Sequence, residues 1–188
     1  MNHLIQVMAA VRPVSPGLYK ALEREVVALT LPKDYILLKA PQVADQVIFI
    51  DNGFAMAYSF YKGKRQVDNF WGQGELILSP QSFFERLPSA EFIKLTEQSD
   101  VLCISHRGLE KLLTHFPVTN HFFRVIMNRY YAQERERVRD LQRHPTWTQF
   151  QKLIRRFPDI EQRVPQEYIA SYLGIAPQSL SRIKGQHG

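Results

Sequence analysis

Between Leu29 and Ser105 apolar residues fall in short runs, "YILLK", "QVIFID", "FAMAYSFY", "RQVDNFW", "EFIKLTE" and "DVLCIS". The separators "APQVAD", "DNG", "YKGK", "GQGE" and "LPSA" are rich in turn formers. Several runs alternate strictly, as Phe54, Met56, Tyr58 and Phe60 do, which is the period of a strand with one buried face. Lys62-Gly63 sits between two such runs and reads as a two-residue hairpin turn. Many short strands at this spacing predict an antiparallel sandwich or barrel-like roll.

The pattern is helical on either side. "SPGLYKALEREVVAL" opens on Ser15 and Pro16 and sets Leu18, Leu22 and Val26 at helical spacing. From His106 onward, "HRGLEKLLTHF" is a short amphipathic helix. Residues 118–144 then run without Gly or Pro, a helix of about 40 Å at ~1.5 Å per residue. Pro145 stops it, and "TWTQFQKLIRRFP" forms a further helix. The expected division is residues 1–143, a β-rich region with its long helix at about 117–143, and residues 144–188, a small all-helical region.

The last helical stretch, "QEYIASYLGIAPQSLSRIKG" (166–185), has the pattern of a helix-turn-helix. Such a motif needs a small residue where two helices touch, a turn residue that tolerates positive φ, and apolar anchors on both helices. Ala170 and Gly174 fit the first two. Ile169, Leu173, Ile175, Leu180 and Ile183 supply the anchors, and Pro165 and Pro177 start the helices. Gln178, Ser179, Ser181, Arg182 and Lys184 are left to face outward. Arg can pair with guanine and Gln with adenine, while Ser and Lys more often hold phosphates.

Charge supports that reading once it is divided along the chain. Residues 1–120 hold 12 Lys/Arg and 12 Asp/Glu, whereas residues 121–188 hold 12 and 6, so the +6 net charge lies in the last third. A polyanion partner is the natural reading of such asymmetry. The single cysteine, Cys103, excludes a disulfide framework and any cysteine-only metal or iron–sulfur site. Within "VLCIS" it reads as a buried small hydrophobe. His3, His106, His115, His121, His144 and His187 show no metal spacing, and no nucleophile–base pair is apparent, so neither a metal site nor catalytic residues are expected. No apolar run approaches the ~20 residues that span a bilayer, and "MNHLIQVMAAVRP" lacks signal-peptide character. A cytoplasmic location follows as an expectation.

Over almost its whole length the chain resembles the Crp/Fnr family of bacterial transcription regulators. "YLGIAPQSLSRIKG" is similar to the family's recognition region, "QVIFIDNGFAMAYSF" to a strand-Gly-strand hairpin of its sensor roll, and "GQGELIL" to the start of its phosphate-binding cassette. The resemblance implies an α+β chain. Its parts are an antiparallel β jelly-roll sensor of cyclic-nucleotide-binding type, a long dimerisation helix and a small C-terminal helix-turn-helix domain. It implies base reading by Gln178, Ser181 and Arg182, and an effector pocket at Gly74, Glu75, Leu76, Arg86, Ser89 and Ala90. Two departures qualify it. Where cyclic-nucleotide-binding members carry an Arg-Ser-Ala triplet, this chain has Pro88-Ser89-Ala90, so cyclic AMP is not expected in the usual mode and no cofactor is expected. Few residues follow Lys184, so a full wing is not expected.

A heptad-like stripe, Phe123, Met127, Tyr130, Glu134, Arg137 and Leu141, marks the expected dimer seam. Double-stranded DNA and a second copy of the chain are then the expected partners, with RNA polymerase and an unidentified small-molecule effector beside them, and no membrane. The rival reading is a non-enzymatic interaction module whose roll binds a ligand or protein and whose C-terminal region does not bind DNA.

Overall fold

The computed structural model describes residues 1–187, and side chains to residue 186. Gly188 and the His187 side chain, which close the second expected region, lie outside the described residues. Two helices lead the chain, α1 (Asn2–Ala9) and α2 (Pro16–Glu25). Ser15 Oγ accepts from the Leu18 amide at 3.2 Å and Pro16 fills the first turn, so the predicted start is the observed one. Eight strands follow: β1 (Val26–Leu31), β2 (Ile36–Leu38), β3 (Gln46–Asn52), β4 (Ala55–Tyr61), β5 (Lys64–Trp71), β6 (Leu76–Ile77), β7 (Phe92–Leu95) and β8 (Ser99–Ser105). The short α3 (Pro80–Glu85) lies between β6 and β7. The strands pair antiparallel in two four-stranded sheets, β1-β8-β3-β6 and β2-β7-β4-β5, the interleaved order of a jelly roll. Lys62 and Gly63, with φ of 49° and 75°, make the hairpin turn that joins β4 to β5.

Two apolar clusters hold the molecule together. The first fills the roll and extends beneath α1, α2, α4 (His106–His115) and α5 (Pro117–Arg143), and includes Leu18, Phe49, Ile50, Ala55, Ala57, Leu95 and Leu112. The second lies on the other face of the β4–β5 pair. There Phe54, Met56, Tyr58, Val67 and Phe70 meet Phe150, Leu153, Phe157, Ile160, Ile169, Ala170 and Leu180. The elements above them are α6 (Thr146–Arg156), α7 (Ile160–Arg163), α8 (Gln166–Tyr172) and α9 (Pro177–His187). The alternating set Phe54, Met56 and Tyr58 thus faces the C-terminal helices, and the small Ala55 and Ala57 face the roll interior. Residues 144–187 therefore complete their core with a sheet of the preceding region.

The long helix differs from expectation in which side it turns inward. Thr119 and Phe122 are buried, and Phe123, Ile126, Met127 and Tyr130 pack against the roll's own cluster. The expected seam of Phe123, Met127 and Tyr130 is an intrachain contact. The apolar richness of those three answers the roll, while Leu141, at the far end of the expected stripe, stays outside with Tyr131 and Val138: the three are 46%, 63% and 52% exposed. Among the described residues no helix is long and apolar enough to cross a membrane.

Candidate nucleic-acid interface

α8 ends in a Schellman turn. The Gly174 amide donates to the Ser171 carbonyl and the Ile175 amide to the Ala170 carbonyl, each at 3.0 Å, with Gly174 at φ 70°. Ala170 is fully buried beneath the crossing, and Ile169, Leu173 and Leu180 anchor both helices in the second cluster. The predicted helix-turn-helix is the observed one. On α9, Gln178 and Arg182 are one helical turn apart and exposed. Neither side chain makes a hydrogen bond or ion pair with a described residue. Ser181 is exposed beside them; its Oγ accepts from Gln166 Nε2 at 3.0 Å and donates to the Pro177 carbonyl at 3.3 Å. Ser179 is half-buried. Lys184 departs from expectation: it shares the inward side with Leu180, pairs with Glu161, and lies 5.8 Å from the centre of the Phe150 ring. Its charge is engaged inside the module, four residues past Leu180, where one full turn returns it to the buried face.

Three arginines fix the motif to the rest of the molecule. Arg137 of α5 donates to the backbone carbonyls of Asp68, Val67 and Tyr172, and its guanidinium lies 4.4 Å from the Tyr172 ring centre. Arg156 of α6 donates to the Phe70 carbonyl and pairs with Glu75 at 2.9 Å. Arg163 of α7 reaches the Gly53 carbonyl at 3.4 Å, Glu97 at 3.5 Å and Asp159 at 3.1 Å. Planar, multiply donating guanidinium groups suit this bridging of carbonyls and carboxylates. In the sequence these residues look like any other cations of a basic segment, and only their fold partners reveal the role.

No family model matches the chain, and no curated protein matches it. Solved structures do. CLP of Xanthomonas campestris, described as a c-di-GMP responsive global regulator, is 13% identical, with a TM-score of 0.69 over 92% of this chain and 91% of that one. A putative Crp/Fnr-family regulator from Eubacterium rectale superposes with a TM-score of 0.71 at 13% identity, over 90% and 81% of the two chains. A CooA mutant from Carboxydothermus hydrogenoformans gives 0.69 at 16% identity over 97% and 83%. The fold is that of the Crp/Fnr regulators.

Within this Crp/Fnr fold the six expected effector residues do not converge. Gly74, at φ 82°, makes the turn into β6; a Cβ there would meet the His3 ring at 3.3 Å. Glu75 accepts from the Gly72 amide at 2.8 Å and pairs with Arg156, beside a cleft of about 210 Å³ that Arg163 and Phe157 also line. Leu76 pairs with Phe49 in the sheet. Arg86 turns elsewhere, to the Ala44 carbonyl at 2.7 Å and Asp45 at 2.9 Å. Ser89 is buried and closes its hydroxyl on the Glu91 backbone, while Ala90 is exposed. Glu75 and Arg86 each have an internal partner, Arg156 for the one and Asp45 for the other.

A cavity of about 330 Å³ in the roll is lined by residues such as Leu29, Ile36, Ile48, Ile93 and Cys103, with Asp45 its one charge and no cation. Between roll and long helix, Asp68, Glu91 and Glu134 lie within electrostatic reach of one another and of Tyr130. Burial holds the Asp68 and Glu91 carboxyls above the usual range, and Asp68 and Glu134 push Glu91 further up. Tyr130 is likewise driven upward by burial and then by these carboxylates. Burial also raises the Cys103 thiol, in line with its reading as a buried hydrophobe.

Proposed function

We propose that this chain is a DNA-binding transcriptional regulator of Crp/Fnr type, cytoplasmic and not an enzyme, that works as a homodimer under an effector other than cyclic AMP. The carrying observation is the outward side of α9. Gln178, Ser181 and Arg182 stand exposed at the first turns of a recognition-type helix, on a motif held rigidly against the roll. Arg182 and Gln178 have the donor geometry to read base edges in a major groove. The dimer face proposed here keeps Leu141 of the heptad stripe and adds Tyr131 and Val138. Tyr131 and Val138 are seven residues apart, Leu141 follows at three, and all three are exposed. This heptad spacing makes them the seam for a parallel partner helix. RNA polymerase remains a further expected partner of such a regulator.

The test is selection of bound sequences from a random duplex pool with the full chain. A two-fold palindrome with half-site centres about one helical turn apart is expected. Recovery of no enriched sequence would overturn DNA reading in favour of the interaction-module alternative. An enriched site without two-fold symmetry would overturn the dimer.

A further inference from the structure

Positive charge also gathers at the tip of the β4–β5 hairpin. Lys62, Lys64 and Arg65 fall within four residues, all exposed, and no acidic residue occurs from 52 to 67. The two-residue turn at Lys62-Gly63 places both lysines at the end of the sheet. Neither Lys62 nor Lys64 forms an ion pair with a described residue; Lys62 lies 5.4 Å from the Tyr61 ring centre.

This tip is fastened to the helix-turn-helix. Arg65 Nη1 donates to the Tyr168 hydroxyl at 2.6 Å, and its guanidinium lies 4.5 Å from the centre of the Tyr58 ring and 5.4 Å from that of Tyr168. The Val67 amide donates to Ser171 Oγ at 3.0 Å. Lys64 and Arg65 then share a cleft of about 580 Å³ with Glu167, Tyr168, Ser171 and Pro177. Pro177 is the first residue of α9, so the hairpin cations lie beside the end of the helix that enters the groove with Gln178 and Arg182. Their distance from α9 is set by two strands and by hydrogen bonds, not by a flexible tether.

We propose that the β4–β5 hairpin is a second DNA-contacting element, in which Lys62 and Lys64 hold backbone phosphates that flank the base pairs read by α9. Arg65 and Ser171 are its positioning residues. The inference rests on the DNA-reading function proposed above. Lysine on a short stem of backbone can neutralise a phosphate without regard to sequence, so the hairpin adds affinity and register but no base preference. A polyanion fits this surface because the cations are unpaired, clustered and adjacent to the recognition helix.

The test compares the full chain with the variant Lys62→Asn/Lys64→Gln, in which Asn keeps the left-handed turn position. Affinity for one duplex is measured at 50 and 200 mM salt. Each phosphate contact adds about 0.9 to the slope of log affinity against log salt. Losing two in each half-site, four per dimer, makes the fall in affinity over this fourfold range about 150-fold smaller than for the wild-type chain, with the selected base sequence unchanged. A control, Lys20→Gln/Arg24→Gln on α2, removes the same net charge from the helices over the other sheet and is expected to keep the wild-type slope. Equal melting curves show that each variant is folded. If the hairpin variant keeps the wild-type slope, or the control loses as much, the hairpin contact is wrong while base reading by α9 stands. If the wild-type chain binds no duplex, the proposed function falls and takes the hairpin with it.

Discussion

Phe54→Ala tests whether the C-terminal helices depend on the roll for their core. The Phe54 side chain is 1% exposed and sits just before β4, and its ring meets Phe157 edge-on at 5.0 Å, Phe70 at 5.8 Å, and the Arg163 guanidinium at 5.4 Å. Truncating a buried Phe to Ala costs about 3–5 kcal/mol from lost transfer energy and the cavity left behind. The backbone is unaffected: the Phe54 carbonyl still accepts from the Thr96 amide. Of the three ring partners, Phe157 and Arg163 belong to the C-terminal helices, so roughly two-thirds of the loss, ~2–3 kcal/mol, falls on their attachment. At 1.36 kcal/mol per decade this is about a 30- to 160-fold rise in the undocking equilibrium.

Amide hydrogen exchange resolved by segment is the assay, because local opening is read directly as lost protection. Protection in α6, α7 and α8 is expected to fall by that factor in Phe54→Ala. Phe60→Ala serves as the control, since Phe60 lies on β4, which Phe54 directly precedes, but is 56% exposed; it is expected to leave α6–α8 unchanged. Should Phe54→Ala lower the melting temperature of the roll while α6–α8 keep full protection, residues 144–187 form an independent unit and the shared-core reasoning is refuted.

Further outcomes follow from the interface and the roll. Arg182→Ala should weaken specific DNA binding by about 1–3 kcal/mol and relax one base preference per half-site; Lys184→Ala should leave the selected sequence intact and cost stability at most ~1 kcal/mol, as its partner is Glu161. Equal losses of binding from both variants would contradict the assignment of α9 faces. Cyclic AMP should show no micromolar binding in calorimetry, because Arg86, the cation beside the roll cavity, is already engaged by Asp45 and the Ala44 carbonyl, and a missing charge-assisted pair costs ~2–5 kcal/mol; micromolar binding abolished by Glu75→Ala would contradict this. Glu91 carries a carboxyl raised in the fold above its ordinary 4.5 by burial. Its contribution is therefore full below about that pH and is lost as pH rises through the folded value. Glu91→Gln should melt higher than wild type at pH 8, with the gap closing toward pH 4.5; a lower melting temperature at pH 8 would show that the carboxylate is stabilising.

Local rules made much of this molecule legible. Ser15 caps the helix it precedes, Lys62-Gly63 turns the hairpin, and Ala170 with Gly174 builds the crossing and turn of the helix-turn-helix. Each of these depends on residues within about one turn of one another. What escaped sequence reasoning depends on partners far along the chain. Strand alternation shows that Phe54, Met56 and Tyr58 share a face, but not that the face belongs to a second core closed by Phe150 and Leu180. A heptad stripe shows that Phe123, Met127 and Tyr130 share a side of α5, but the apolar character that suggested a partner helix serves the roll. The candidate effector residues are held apart for the same reason. Glu75 and Arg86 are eleven positions apart, and their directions are set by Arg156 and Asp45, at 81 and 41 residues' separation respectively.

Charge shows most clearly how the linear count and the folded surface part company. The +6 excess of residues 121–188 suggested a basic face for a polyanion. In the fold, Arg137, Arg156 and Arg163 turn to carbonyls and carboxylates of the roll, and Lys152 and Lys184 pair with Glu136, Asp140 and Glu161. These five are engaged in holding the C-terminal module, while Lys62, Lys64 and Arg65, from a segment of zero net charge, stand beside the recognition helix. The positive surface around α9 is thus assembled from segments more than a hundred residues apart, and its geometry depends on the docking that the three arginines enforce. An effector in the roll can alter DNA affinity only by binding docked and undocked arrangements with different affinity. The groups through which such a difference would be transmitted are those that join the two regions: the Phe54–Phe157 contact, the Arg156–Glu75 pair, and the Arg137 bridge from the long helix to β5 and α8.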